Sequence, residues 1–363
     1  MTIYCGVDFH TRQQLIKWCD TRDGEIKEQR LFHDSLDDVR NFYSQFTGEV
    51  LVGIEACGYS EWFERMLQDL GHEVWVGDAT KIRRRARSRQ KTDRRDAELL
   101  IDLLLKDEFP RINRLSFESL EVLRRLRYRH RLVQMRTRMR NSLQALALGS
   151  GMVLKSKLRT KRGREKLNDL PLSPVLTQQR SGWLELIEEV ECRIAQVEAE
   201  LEKAAAGDER VRRLRTHPGI GLLTGLALVH TLSPVSRFAN SRKVTAYVGL
   251  EPREYSSGER KRMGRISKAG SRVLRFLLVE AGIKATREDI EMKKLYYRVM
   301  QRREQARAKV AVARHLLIHA FIMLRDEIDY AEFKLRGAEM RSTARTVHRP
   351  TMPDHLIERP ASV

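Results

Sequence analysis

The sequence has few cysteines and no long apolar run. Its four cysteines, Cys5, Cys19, Cys57 and Cys192, form no CxxC pair and no zinc-ligand spacing, so we expect reduced thiols and no structural zinc. No stretch reaches the roughly 18 consecutive apolar residues that a membrane span requires. The first residues also lack the basic and apolar regions of a signal peptide. These absences predict a cytoplasmic protein and argue against a membrane partner.

Acidic residues are outnumbered by basic ones. The chain of 363 residues has 69 Lys and Arg against 49 Asp and Glu, which gives a net charge of +20. A surplus of this size indicates a polyanionic partner, and nucleic acid is the first candidate. The length and the apolar content of 41% are sufficient for two or three domains with hydrophobic cores.

Short β-like runs dominate the first eighty residues. Residues 3–7, 14–19 and 26–32 predict a three-stranded meander, and residues 50–54 and 72–76 predict two further strands. Helical patterns begin after Ser35 and Ser60 and again near Asp93. This order, β-β-β-α-β-α-β-α, is the plan of a ribonuclease H-like fold.

Four carboxylates fall where that plan brings chain segments together. Asp8 ends the first predicted strand, Glu55 ends the fourth, and Asp93 and Asp96 share one face of a helix's first turn. Four clustered carboxylates repel one another unless metal neutralises them, so the pattern predicts two Mg²⁺ ions. Taken singly, each acid also fits an ordinary role at a strand end, in a solvated loop or at a helix N-terminus.

Two basic stretches are candidates for contact with nucleic acid. The first contains Arg83, Arg84, Arg85, Arg87, Arg89 and Lys91. The second, residues 124–140, has eight arginines and no acid, and includes Arg124, Arg125, Arg136, Arg138 and Arg140. Such a run predicts binding to phosphates, and a solvated helix face is the alternative.

A heptad pattern lies in the middle of the chain. Apolar residues step by four and three along Trp183, Ile187, Val190, Ile194, Val197, Leu201 and Ala204. This spacing predicts a coiled coil, whose helices pair within one chain or between the chains of a homodimer or higher oligomer. Composition suggests four segments: a first domain over 1–110, a coiled-coil region over 111–212, a mostly helical domain over 213–330 and a disordered tail over 331–363.

A serine stands in a basic loop of the third segment. Ser267 precedes a helical pattern that begins near Gly270, and its cationic neighbours are Arg265, Lys268, Arg272 and Arg275. One explanation is that Ser267 caps this helix. The other is that its hydroxyl lies beside a bound phosphate and takes part in chemistry on it.

These motifs together resemble one family, the DEDD transposases of bacterial insertion sequences, also described as bridge-RNA-guided recombinases. The resemblance extends over roughly residues 3–325. It is carried by Gly6-Val-Asp8, Ile54-Glu55-Ala-Cys-Gly-Tyr59, Lys91-Thr-Asp93-Arg-Arg-Asp96, His217-Pro-Gly-Ile-Gly, Gly249-Leu-Glu-Pro252, and Arg265-Ile-Ser-Lys-Ala-Gly270 with Leu274-Arg275.

The resemblance implies a RuvC-like N-terminal domain, a helical coiled-coil insert and a mostly helical C-terminal transposase domain. It implies that Asp8, Glu55, Asp93 and Asp96 bind Mg²⁺, and that Ser267 is a nucleophile that becomes covalently linked to DNA. It also implies that the coiled coil mediates dimerisation and that a structured bridge RNA selects the DNA sites. The expected activity is the cutting and rejoining of DNA strands in the bacterial cytoplasm.

Two other functions fit the same residues. A metal-dependent, structure-specific nuclease, similar to a Holliday-junction resolvase, would use the four acids to activate water and Ser267 only as a helix cap. A basic coiled-coil protein that binds nucleic acid without catalysis would leave the four acids incidental. A covalent protein–DNA adduct separates the recombinase from the nuclease, and metal-dependent cleavage separates both from the binding protein.

Overall fold

The computed structural model describes residues 2–86, 92–153, 160–255 and 262–347. The chain divides into two compact units, Met1–Arg114 and Leu115–Val363. No described helix is long and apolar enough to cross a membrane. Three of the predicted nucleic-acid contacts, Arg87, Arg89 and Lys91, lie outside the described residues.

The first unit is a mixed α/β domain with a five-stranded sheet. Its strands are β1 (Thr2–Phe9), β2 (Gln13–Asp20), β3 (Ile26–Phe32), β4 (Glu49–Glu55) and β5 (Glu73–Gly77). Its helices are α1 (Leu36–Ser44), α2 (Glu61–Asp69), α3 (Ala79–Arg85) and α4 (Asp93–Leu105). The strand order is β3-β2-β1-β4-β5, with the meander antiparallel and β1, β4 and β5 parallel. The five predicted strands are therefore confirmed.

Helix α4 lies very close to the sheet because glycines line the face beneath it. A Cβ atom at Gly6 would lie 2.7 Å from the carbonyl oxygen of Ala97, and one at Gly53 would lie 2.8 Å from a methyl carbon of Leu104. The helix begins at Thr92, whose hydroxyl accepts a hydrogen bond from the amide of Arg95. The glycines thus allow α4 to pack closely on β1 and β4.

The second unit is mostly helical. Its long helices are α5 (Phe117–Gly149), α7 (Pro174–Ala206), α11 (Arg272–Glu288), α12 (Ile290–Arg302), α13 (Gln305–Arg325) and α14 (Tyr330–Val347). Shorter helices are α6 (Lys161–Asn168), α8 (Glu209–Arg215), α9 (Leu222–Leu232) and α10 (Ser241–Val248). A small hairpin, β6 (Pro252–Glu254) and β7 (Met263–Ile266), leads into α11.

Helices α5 and α7 pack against each other within the chain. Five of the seven heptad positions of α7 are buried, including Ile187, Ile194 and Leu201, and Trp183 and Ala204 at the two ends are half-buried. Arg125 pairs with Glu200 at 3.3 Å, and Arg140 near the other end of α5 pairs with Glu191, so the helices run antiparallel. This accounts for the apolar seam inside one chain, and a coiled coil between two chains stays a prediction.

The expectation of a disordered tail after residue 330 was wrong for its first part, because residues up to Val347 form α14. Apolar contacts hold the start of this helix. The ring centroids of Tyr330 and His217 are 4.2 Å apart, and those of Phe333 and His319 are 4.6 Å apart. The amide of Tyr330 donates to Thr216 Oγ1 at 2.9 Å. Two aromatic residues one helical turn apart thus supply the anchor, whereas residues 348–363 lie outside the described chain.

Candidate active site

Two of the predicted metal ligands end adjacent parallel strands at the same level. Val7 of β1 is opposite Ile54 of β4, so Asp8 and Glu55 follow at matching positions. Side chains alternate along a strand, and each acid stands two residues after a glycine that faces α4. Asp8 and Glu55 therefore occupy the α4 face of the sheet, at the edge where these strands end.

The first turn of α4 brings further carboxylates to this edge. Asp8 Oδ2 lies 3.0 Å from His10 Nε2, which lies 3.7 Å from Asp93 Oδ1. Ligand atoms of Asp8, His10 and Asp93 all lie within 4.8 Å of one another. Asp96, one turn further along α4, is close enough to Asp8 to disfavour its ionisation. Glu55 lies at the same sheet edge and is not part of this three-residue group.

Burial makes a negative charge at Asp8 costly. Burial is the main reason that the pKa of Asp8 lies above its ordinary value, and Asp96 and Asp93 raise it further, while His10 lowers it. Arg30 partly offsets the charge of Asp93 at 3.6 Å. A bound cation would offset both the cost of burying a negative charge at Asp8 and the repulsion between the carboxylates. Carboxylate oxygens are the donors that Mg²⁺ prefers. The residues present therefore fit a divalent metal.

The sequence pattern missed the contribution of His10. Its ring bridges Asp8 and Asp93 because β1 ends at Phe9 and the chain turns there towards β2. Gly6-Val-Asp8 and Gly53-Ile-Glu55 repeat the same order of glycine, β-branched residue and acid, and this repeat is a sequence signal for the two paired strand ends. Each glycine marks where α4 comes closest to the sheet.

Ser267 lies in the second unit, between β7 and α11, and does not cap the helix. Ser271 is the N-cap of α11, and its hydroxyl accepts a hydrogen bond from the amide of Leu274 at 3.2 Å. Ser267 Oγ is buried and has no hydrogen-bond partner among the described residues. The capping explanation for Ser267 is therefore wrong, and its hydroxyl forms no hydrogen bond with a described residue of this loop.

Backbone hydrogen bonds fix the Ser267 loop on the hairpin side. The amide of Ser267 donates to the carbonyl of Glu251 at 2.8 Å, and Arg253 Nη2 donates to the carbonyl of Ser267 at 3.0 Å. Lys268 adopts a left-handed φ of 57° and its amide donates to Gly249. Arg275 donates to three carbonyls around the loop, those of Val248, Ala269 and Gly270. Arg275, predicted to contact phosphate, thus positions the loop instead.

Comparison with known proteins identifies the family. Residues 5–150 match a family model for DEDD transposases of the IS110 type, and residues 211–297 match one described as the IS116/IS110/IS902 transposase family. A probable family 20 transposase of Pseudomonas aeruginosa is 30% identical over 251 residues, which cover 66% of this chain and 72% of that protein. The chain belongs to the IS116/IS110/IS902 transposase family.

Other relatives agree with this family membership. The transposase for insertion sequence element IS1111A of Coxiella burnetii is 27% identical over 279 residues, covering 72% of this chain and 74% of that protein. The transposase for insertion sequence element IS1328 of Yersinia enterocolitica is 28% identical over 235 residues, covering 63% and 69%. The protein is thus an insertion-sequence DNA transposase, and it binds DNA. The DEDD family model also implies a ribonuclease H-like fold for the first unit.

Several arginines of α5 in this transposase have acidic partners, although their own stretch of sequence contains no acid. Glutamates on the facing helix α7 pair with Arg125, Arg136 and Arg140, and Arg124 pairs with Glu121. Arg138 forms no ion pair with a described residue. The same holds for two further exposed arginines of the predicted stretch 124–140, Arg127 and Arg131. These three lie on one face of α5 and are better placed for phosphates.

Among the remaining predicted contacts with nucleic acid, some basic residues also have an acidic partner and others have none in the described chain. In α3, Arg85 lies 3.6 Å from Glu108, whereas Arg83 and Arg84 are exposed without an ion pair to any residue that the structure describes. Around the serine loop, Arg265, Lys268 and Arg272 are also without an acidic partner in the described chain. Binding of nucleic acid by all of these residues stays a prediction.

Proposed function

We propose that the transposase cuts and rejoins DNA strands with two sets of groups. The first set is Asp8, Glu55, Asp93 and Asp96, which hold two Mg²⁺ ions in a RuvC-like domain. The second is Ser267, which attacks a DNA phosphodiester and becomes covalently linked to it. The observation that carries the proposal is the buried hydroxyl of Ser267, which has no capping role and no hydrogen-bond partner among the described residues.

The first unit supplies the groups that hold metal. When bound, Mg²⁺ would neutralise charge on the phosphate and make the leaving oxygen a better leaving group. Asp8 is held towards Asp93 by His10, which contacts both carboxylates, so the ligands are placed before metal arrives. Burial of Asp8 excludes water from one side of the cluster.

The second unit supplies the nucleophile and cations for the phosphate. In the proposed step, Ser267 Oγ forms a bond to phosphorus and the strand beyond it leaves with the electron pair and a proton. The new phosphoserine ester conserves the energy of the broken bond, so attack by another strand end reverses the step and joins the strands. Arg265, Lys268 and Arg272 have no acidic partner within the described chain and are available to a phosphate.

Activation of Ser267 requires a group from outside its own loop. A serine hydroxyl is a weak nucleophile at neutral pH, and the cations beside Ser267 in the sequence are poor bases. We therefore propose that the four acids and Ser267 act in the same reaction. A helical region of about a hundred residues separates them in sequence, so two chains of an oligomer can each supply one part.

Adduct trapping on a denaturing gel tests the proposal. Wild-type protein and Ser271→Ala should form a covalent protein–DNA adduct with DNA that carries the ends of the element. Ser267→Ala should form none, and Asp8→Asn should form little. Ser271→Ala is the matched control because it removes a hydroxyl four residues away in the same loop. Strand cleavage by Ser267→Ala would instead identify a metal-dependent nuclease. Recovery of activity in a mixture of Ser267→Ala and Asp8→Asn would show that two chains share the site.

We also propose that a structured guide RNA and self-association are part of this function. The support is the family resemblance and the net charge of +20. Sequencing of RNA that copurifies with the protein tests the first point, and a single recurrent structured RNA is expected. Sedimentation of the purified protein tests the second, and a strictly monomeric protein would contradict it.

A further inference from the structure

A groove of about 1000 Å³ lies beside the Ser267 loop in the second unit. Ile266 and Lys268, which flank Ser267 in the chain, are among the residues that line it. Helix α13 forms one wall and the hairpin another. The apolar residues along it include Pro252, Ile266, Leu295, Val310 and Ile318. The groove thus offers an aliphatic surface that reaches both chain neighbours of the proposed nucleophile.

Five cationic side chains also line this groove, and we call them the groove cations: Arg265, Lys268, Arg303, Arg307 and Arg314. No Asp or Glu is among the described residues that line it. None of the groove cations forms an ion pair with a residue that the structure describes.

The absence of partners distinguishes the groove cations from arginines nearby in the fold. At the end of α13, Arg325 pairs with Asp326 at 2.6 Å, and in α8 Arg210 pairs with Asp208 at 2.7 Å. Like charges gathered without a counter-charge repel one another, and a bound anion would relieve this repulsion. The groove therefore fits an anionic ligand from outside the described chain.

Cationic and aliphatic residues alternate along the wall formed by α13. Arg307, Val310, Arg314 and Ile318 follow one another by three or four residues, so they share one face of the helix. This face extends over about 16 Å. A ligand along it meets a charge, an apolar surface and a charge again, so it must carry anionic and apolar groups in alternation.

Unpaired DNA has this chemistry, and duplex DNA does not. A duplex presents phosphates and sugars outwards and keeps the faces of its bases stacked inside. A strand with unpaired bases presents its phosphates to cations and its base faces to apolar side chains. An acidic amphipathic helix would also match the charges. The position beside Ser267 favours the strand, because Ser267 must reach a phosphate.

We propose that the groove binds unpaired bases of the DNA strand that Ser267 attacks, with the groove cations on its phosphates. This inference rests on the proposed role of Ser267 and extends it to the form of the substrate. The DNA is then opened next to the attacked phosphate, and its unpaired bases lie on the aliphatic surface of the groove. The contributing residues Arg303, Arg307 and Arg314 lie beyond the residues that match the family models.

Binding measurements with full-length Ser267→Ala protein test the groove without covalent chemistry. The probes are a fluorescent polythymidine strand, the same strand with abasic sites throughout, and a duplex of equal length. We expect the polythymidine strand to bind at least about tenfold more tightly than the abasic strand, as expected for base contacts. Val310→Ser with Ile318→Ser should remove this difference and leave the salt dependence unchanged.

The cations are tested by a pair of matched double variants. Arg307→Gln with Arg314→Gln should reduce the slope of log affinity against log salt by about 1.4, or 0.7 for each lost contact. Arg325→Gln with Arg336→Gln removes the same charge from arginines that pair with Asp326 and Glu332, and should leave the slope unchanged. All four substitutions are at the surface or half-buried, so folding is retained.

Three results would overturn the inference. Equal binding of the normal and abasic strands would show that bases do not use the groove. Equal salt slopes for the two double variants would show that its cations do not hold phosphates. If Arg307→Gln with Arg314→Gln loses self-association but still binds the strand, and the control double variant does not, the groove is a protein interface. The adduct assay tests Ser267 separately. If the protein prefers the polythymidine strand but forms no adduct, the role of Ser267 as nucleophile is rejected. If it forms an adduct but shows no such preference, the binding of bases in the groove is rejected.

Discussion

The acidic cluster of the first unit and the serine loop of the second are built in opposite ways. In the first unit, two strand ends and a helix bring side chains of like charge together, and burial, with a further contribution from Asp96 and Asp93, raises the pKa of Asp8. In the second, backbone hydrogen bonds hold a loop around one hydroxyl, and its charged neighbours are cations. A bound cation would relieve the repulsion in the first arrangement, whereas a bound anion would complement the cations around the second.

The largest expected effect comes from the acids. Asp8→Asn and Asp93→Asn should each lower strand cleavage by about a thousandfold or more, because each removes a ligand from the metal site. Asp8→Asn should also raise the melting temperature in the absence of metal, because it removes a buried charge that Asp93 and Asp96 repel. Cleavage assays, calorimetric titration with Mg²⁺ and thermal melting measure the three effects.

Asp102→Asn is the control for these variants. Asp102 lies on the same helix, is half-buried and pairs with Lys106 at 2.9 Å. Its substitution should leave cleavage and Mg²⁺ affinity unchanged. Unchanged Mg²⁺ affinity in both Asp8→Asn and Asp93→Asn would reject the metal site, and a large drop in melting temperature would show that Asp8 is structural.

The second prediction contrasts the two units in acid. Burial lowers the pKa of His217 to about 4 and that of His319 to about 3. The two rings share a hydrogen bond, with 3.2 Å between His217 Nε2 and His319 Nδ1. In an unfolded chain both titrate near 6.5. The second unit should therefore have its full stability above about pH 6.5 and lose up to about 1.4 kcal/mol per pH unit for each imidazole as the pH falls towards 4.

In the first unit Asp8 should contribute with the opposite sign, whereas His33, whose pKa burial lowers, contributes with the same sign as the histidine pair. The folded pKa of Asp8 lies above its ordinary value of 3.8, so uptake of a proton stabilises the metal-free fold as the pH falls through that range. Hydrogen exchange measured by mass spectrometry between pH 7 and pH 4 follows both units in one sample. His319→Gln should flatten the response of the second unit alone, and an unaltered slope in that variant would rule out the histidine pair as its cause.

The strands and the positions of the acids could be predicted from the sequence, because both depend on local patterns. Alternation along β1 and β4 and the apolar stripe of α4 are visible within a few residues, and strand ends place Asp8 and Glu55. Partners across a packing interface are not visible in this way. The arginines of α5 lacked acids in their own stretch, and the antiparallel helix α7 supplied them.

The third prediction concerns those arginines and is of moderate size. Arg127→Gln with Arg131→Gln should reduce the salt slope of nucleic-acid binding by roughly 1.4 to 1.8 and leave the melting temperature unchanged, because neither residue pairs with an acid in the described chain. Arg125→Gln with Arg140→Gln should do the reverse, because both hold α5 to α7. Equal salt slopes for the two pairs would mean that the intramolecular ion pairs do not decide which arginines bind.

The smallest expected effect separates two serines four residues apart. Ser271→Ala should lower the free energy of unfolding by about 1 kcal/mol, because it removes the hydrogen bond that caps α11. Ser267→Ala should leave it unchanged or raise it slightly, because a buried hydroxyl without a partner does not stabilise the fold. Denaturant unfolding of both variants, beside the adduct assay, gives two independent readouts. If Ser267→Ala is the less stable variant, its hydroxyl has a structural partner after all. The division between a serine that builds the loop and a serine that reacts would then fail. If both serines keep their expected effects on stability and only Ser267→Ala loses the adduct, stability and chemistry are assigned to different hydroxyls of one loop.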